Sequence, residues 1–62
     1  MKSYRAYRLN RSGHIQSGEW IRAADDADAR RKAAELCDEE SAKVEVWEAA
    51  RPVEEIDCHP DD

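Results

Sequence analysis

The sequence predicts an α+β domain of ββαββ order, with a four-stranded antiparallel sheet in spatial order 2-1-3-4 and one helix packed on one face. Three observations predict it. Apolar and polar residues alternate in the first 22 residues and again after Ala42. The segment "DDADARRKAAELC" between them has helical spacing and a ready N-cap. The turn-forming stretches "NRSG" and "ARP" fall between the periodic runs.

Each element follows in order. "SYRAYRL" places aromatic and aliphatic residues at strand spacing, so β1 is expected over about 3–9. In "NRSG", Asn10 and Gly13 suit positive φ. "HIQSGEWIRA" reads as β2, but Ile15 and Trp20 have opposite parity. A bulge at Gly18 is expected to reset the register. For the helix, Asp25 is the N-cap and Asp28 the capping-box partner. Ala29, Ala33, Leu36 and Cys37 form its apolar stripe. Asp26–Arg30, Asp28–Lys32 and Arg31–Glu35 are spaced to pair on the solvated side. "AKVEVWEAA" reads as β3 and "VEEIDC" as a short β4, with Pro52 suiting a sheet edge. A right-handed crossover then carries β2 to β3, and the simplest arrangement sets β3 beside β1. The helix is expected on the face of Leu9, Ile15, Val44 and Val46. The other face has nothing to cover it.

The chain of 62 residues is one domain, with an ordered core expected over about 3–57 and a flexible tail over 58–62. Its core inventory is thin, because ten of the 25 hydrophobic residues are alanine. Small domains bury a low share of their surface, so a partner is expected. No stretch resembles a signal peptide or approaches the ~20 apolar residues of a membrane span. The expected compartment is the cytosol, where thiols stay reduced. Charge is uneven. Residues 1–22 carry five bases against Glu19, and residues 23–62 carry five bases against fourteen acids, so +4 and −9 make the net −5. Such asymmetry steers partners or drives self-association of complementary faces.

"YRAYRL", "GHI", "AADDADA" and "VEVW" followed by "ARPV" mark a pattern over roughly residues 4–56, the last of these motifs ending at Val53. The pattern resembles one found in small bacterial single-domain proteins. That resemblance implies a fold and no particular activity.

Three constellations are candidates for function. The uncovered sheet face is expected to carry Tyr4, Ala6 and Trp47, joined by Trp20, and to serve a homodimer or another protein partner. Arg5, Arg8 and Arg11, interleaved with tyrosines, suit single-stranded nucleic acid, with bases on the rings and phosphates on the guanidinia. The net charge of −5 opposes that reading. Finally, topology returns Cys58 and His59 towards Cys37, which would gather metal ligands. Cytosolic redox favours two free thiols instead, with Cys37 buried and Cys58 exposed. No Gly-rich phosphate loop or G-x-S-x-G is present, and His14 has no partner nucleophile in view. No enzyme activity and no cofactor are expected. The leading expectation is a non-catalytic homodimeric interaction or regulatory module.

Overall fold

A computed structural model describes residues 1–59. The elements are β1 (Lys2–Leu9), β2 (Ile15–Ala23), α1 (Asp26–Ala34), β3 (Lys43–Glu48) and β4 (Arg51–Asp57). The sheet runs β2-β1-β3-β4, every neighbouring pair is antiparallel, and α1 packs on one face. The expected fold class and strand order are therefore those observed. Pro52 lies in β4, an edge strand, where its missing N–H costs little.

The turns differ in detail from expectation. Only Gly13 adopts positive φ in the first turn, at +84°. Asn10 acts through its side chain instead, accepting from the N–H groups of Ser12 and His14 at 2.9 and 3.0 Å. The bulge in β2 lies at Gln16, not Gly18: Arg8 pairs with Ser17 and Leu9 with Ile15. The β3–β4 hairpin turns at Ala49–Ala50 rather than at "ARP", with Ala49 at φ 54°.

The helix starts as its sequence dictates. Asp25 accepts from Asp28 N–H at 2.8 Å, and Asp28 accepts from Ala24 N–H at 3.1 Å. The latter bond, followed by those from Arg31 and Lys32, holds the Asp28 carboxyl at about 2. The α-helix is shorter than expected. After Ala34 the chain tightens to three-residue spacing, with Leu36 N–H on Ala33 O at 2.9 Å and Cys37 N–H on Ala34 O at 3.3 Å. Of the expected helix pairs, Asp28–Lys32 forms at 3.4 Å. Arg30 instead reaches Glu54, and Asp26 turns to the sheet.

The face under the helix is the opposite parity of β1 from the expected one. Tyr4 and Ala6 are fully buried there with Ile21, Ala23, Val44, Val46 and Ile56, beneath Ala29 and Ala33. Leu9 is buried outside that cluster, and Ile15 is exposed. The reason is steric and polar together. Ala29 and Ala33, the buried residues of the helix, share one cluster with Ala6. Tyr4 then reaches the helix start, where its hydroxyl donates to Asp26 Oδ1 at 2.8 Å. Arg51 donates to both oxygens of that carboxylate, at 3.1 and 3.3 Å, and also pairs with Glu48. Hydrogen bonds from Arg51, then from Tyr4, hold the Asp26 carboxyl below the usual range.

Burial, then the bond to Asp26, pushes the Tyr4 phenol from 10.0 up to about 12. Tyr4 therefore supports the fold fully below pH 10, and that support disappears as pH rises through about 12. Urea midpoints measured from pH 8 to 12 should fall over the upper part of that range. Tyr4→Phe should lower the midpoint at pH 7 and flatten the alkaline fall. An equally steep fall in the phenylalanine variant would assign it to another group.

Candidate functional site

The uncovered face of the sheet is organised in rows by strand register. Trp20, Arg5, Trp47 and Pro52 form one row, each opposite the next. Gly18, Tyr7, Glu45 and Glu55 form the adjacent row. Ile15 belongs beside them, because the bulge at Gln16 turns it to this face through its pairing with Leu9. Trp20 is 68% exposed and Ile15 60%, while Tyr7 and Trp47 are half-buried.

Arg5 is the centre of the arrangement. Its guanidinium carbon lies 4.7 Å from the centre of the Trp20 ring and 5.6 Å from that of Tyr7. Stacking of this kind is worth roughly 0.5–1 kcal/mol at an exposed site. Gly18 makes room for it. A Cβ there would meet Arg5 Nε and Nη2 at 3.1 Å and Tyr7 Cδ1 at 3.2 Å. Arg5 Nε is itself buried and has no hydrogen-bond partner among the described residues.

The β3–β4 half of the face is different in charge. Glu45 stands directly across from Glu55, a like-charge pair that opposes the sheet. Lys43 reaches Glu55 at 3.3 Å, whereas Glu45 accepts only from Trp47 Nε1, at 3.3 Å, and meets no cation among the described residues. Trp47 stands as a ridge between two open depressions. One, of about 360 Å³, runs along Pro52, Val53 and Glu55; the other, of about 260 Å³, runs towards Tyr7 and Ile15.

The sequence-derived candidates separate on this geometry. Trp20 and Trp47 do share the open face, and Tyr4 and Ala6 do not, since they are core residues under the helix. Of the arginines, Arg5 lies on the face, but Arg8 belongs to the fold. Its guanidinium donates to Ser17 Oγ at 2.7 Å and Asp38 Oδ2 at 2.9 Å. Arg11 is in the β1–β2 turn. Glu45 shares the open face with Trp47, as alternation along β3 implies. Tyr7 and Ile15 belong to the face and were not anticipated there; the signal for Tyr7 in the sequence was its shared parity with Arg5.

Cys37 and Cys58 are not free thiols. They form a disulfide, with Sγ atoms 2.11 Å and Cα atoms 5.4 Å apart. The tightened turn after Ala34 and the Cys58 N–H bond to Ala42 O, at 3.0 Å, bring the two backbones within bonding reach. The bridge removes both thiolates from any metal site, and no metal-ligand cluster occurs among the described residues. His59 lies instead with Nε2 3.0 Å from the Asp38 carbonyl oxygen. Cys58 and His59 are thus held against the domain rather than loose in a tail; residues 60–62 lie outside the described residues. No helix among the described residues is long and apolar enough to cross a membrane. Compared with protein-family profiles, curated proteins and solved structures, the chain shows no significant match.

Two outcomes are expected. Gly18→Ala should leave the fold intact while displacing the Arg5 guanidinium and the Tyr7 ring by a few tenths of an ångström. NMR should then show the upfield shift that the indole imposes on the Arg5 side-chain protons change, and Arg5 protons without such an upfield shift in the native protein would contradict the stacked geometry. The native protein should have no titratable thiol until a reductant is added. Cys37→Ala/Cys58→Ala should cost about 3 kcal/mol, the loop-entropy expectation for a crosslink over 21 residues, read from urea unfolding.

Proposed function

We propose that this chain is a non-catalytic interaction module that pairs with itself through the open sheet face. The observation that carries the reading is the aromatic row Trp20–Arg5–Trp47 on a face that no helix covers. Large aromatics are the residues that dominate interface energetics, and arginine stacked on them is already ordered before binding. The thin core adds to this. A partner on the open face would turn one packed layer into two.

Size supports use of the whole face. A stable interface buries about 800 Å² per partner. The chain exposes 4189 Å² in all, so such an interface takes about a fifth of it. Single-stranded nucleic acid is the less favoured occupant. Arg8 is engaged by Asp38 and Ser17, and Glu45 and Glu55 line the neighbouring half of the same face.

The cytosolic expectation and the disulfide pull in opposite directions, because the cytosol keeps most thiols reduced. The interaction reading holds in either setting. The bridge adjoins the Lys43 end of β3, and the aromatic row crosses β3 at Trp47, four residues along the strand.

Sedimentation and light scattering at micromolar protein should give a dimer mass. Trp47→Glu should shift it to monomer, with the helical and sheet signals in circular dichroism retained. A wild-type chain that stays monomeric at all concentrations would end the proposal.

A further inference from the structure

The charges on the open face specify how two copies would meet. By strand alternation, the β1–β2 half presents Arg5 and Arg22 and no acid. The β3–β4 half presents Lys43 against Glu45, Glu55 and Asp57. One half is therefore +2 and the other −2, across a single flat surface. The aromatic relief has the same division. Trp20 projects from the basic half, 68% exposed, and the larger depression lies in the acidic half beside Trp47, Pro52 and Val53.

Two sheets packed face to face lie about 10 Å apart with strands roughly 30° from alignment. A two-fold axis between them can run along the strands or across them. An axis across the strands sets β2 over β2 and β3 over β3, so the basic half meets the basic half and the acidic half meets the acidic half. An axis along the strands sets β2 over β4 and β1 over β3, and keeps each row level with itself. Arg5 then stands over the partner's Trp47, next to the partner's Glu45, and Trp20 stands over the partner's Pro52 and Val53.

We infer that the occupant of the open face is a second copy of this chain, related by a two-fold axis parallel to the strands, with the Arg5–Trp20 ridge of each copy seated in the acidic depression beside Trp47 of the other. This rests on the self-association proposed above and adds its orientation. It gives Glu45 the cation it lacks among the described residues, and it does so twice by symmetry. It also relieves the Glu45–Glu55 repulsion, which nothing within the described chain relieves at Glu45.

The test is a charge exchange read by analytical ultracentrifugation. Arg5→Glu and Glu45→Arg should each weaken the dimer by roughly tenfold or more, since each places like charges together at two symmetric positions. The double variant should recover most of the wild-type affinity, because the swapped pair is complementary again. Arg5→Glu also loses its stacking on Trp20, and Arg5 and Glu45 are diagonal neighbours within one copy. An equimolar mixture of the two single variants, which restores complementary pairs only across the interface, should therefore also recover the dimer, and it separates pairing between copies from damage within one. A mixed-label dimer examined by isotope-filtered NMR should show Trp20 of one copy near Val53 of its partner. A dimer in which the single variants bind normally, or in which Trp20 contacts the partner's Trp20, would overturn this orientation and leave self-association standing. A monomeric wild-type chain would overturn both.

Discussion

One helix of nine residues covers a four-stranded sheet, and every other feature follows from that shortage of cover. The helix can bury only one side, so each strand must choose which parity to place beneath it. The helix buries only Ala29 and Ala33 against the sheet, and residues that small leave room beneath for a large side chain such as Tyr4. Tyr4 then reaches the start of the helix, where its hydroxyl donates to Asp26. Once Tyr4 and Ala6 point inward, Arg5 and Tyr7 must point outward, and the character of the open face is decided.

The two ends of the helix are tied to the sheet by different means. At its start, Asp26 gathers Tyr4 and Arg51, linking β1, α1 and β4 through hydrogen bonds. Beyond its end, the Cys37–Cys58 bridge links the same helix to the end of β4 covalently. These ties compensate for a core with few large aliphatic residues. A disulfide constrains the unfolded chain as well as holding the folded one, which suits a domain near the lower size limit for independent folding. The sheet itself can then carry unfavourable pairs, such as Glu45 opposite Glu55, on its exposed side.

The fold class, strand order, helix cap and edge position of Pro52 were legible because they depend on local signals. Periodicity, Asp25 before a helical run, and the position of a proline all act within a few residues. The parity of β1 was not legible. Leu9 and the pair Tyr4 and Ala6 have opposite parity, and hydrophobicity alone favours Leu9 for the core. The deciding terms were the alanine surface of the helix and the hydrogen bond from Tyr4 to Asp26, 22 residues away. Ile15 was misplaced for a related reason. One extra residue at Gln16 reverses every side chain before it, and glycine at 18 drew the bulge to the wrong position. Gly18 has another task, which only the tertiary neighbours Arg5 and Tyr7 reveal. The disulfide needed a Cα separation that topology approximates and only coordinates supply.

The mixed charge of the open face bears on which kind of partner can satisfy it. A polyanion laid along Arg5 and Arg22 would come within two strand spacings, ~10 Å, of Glu45 and Glu55. That distance is about one Debye length at moderate salt, so the repulsion is not screened away. A polycation meets the converse problem at the two arginines. A partner that carries both signs in the reverse order meets neither, and a copy of the same surface, turned about an axis along its strands, has that arrangement by symmetry. The aromatic rows impose a second condition that agrees with the first. Trp20 has exposed area to bury, and the depression beside Trp47 has open volume to fill. The proposed rotation would bring them together, so shape and charge favour the same geometry for the proposed dimer.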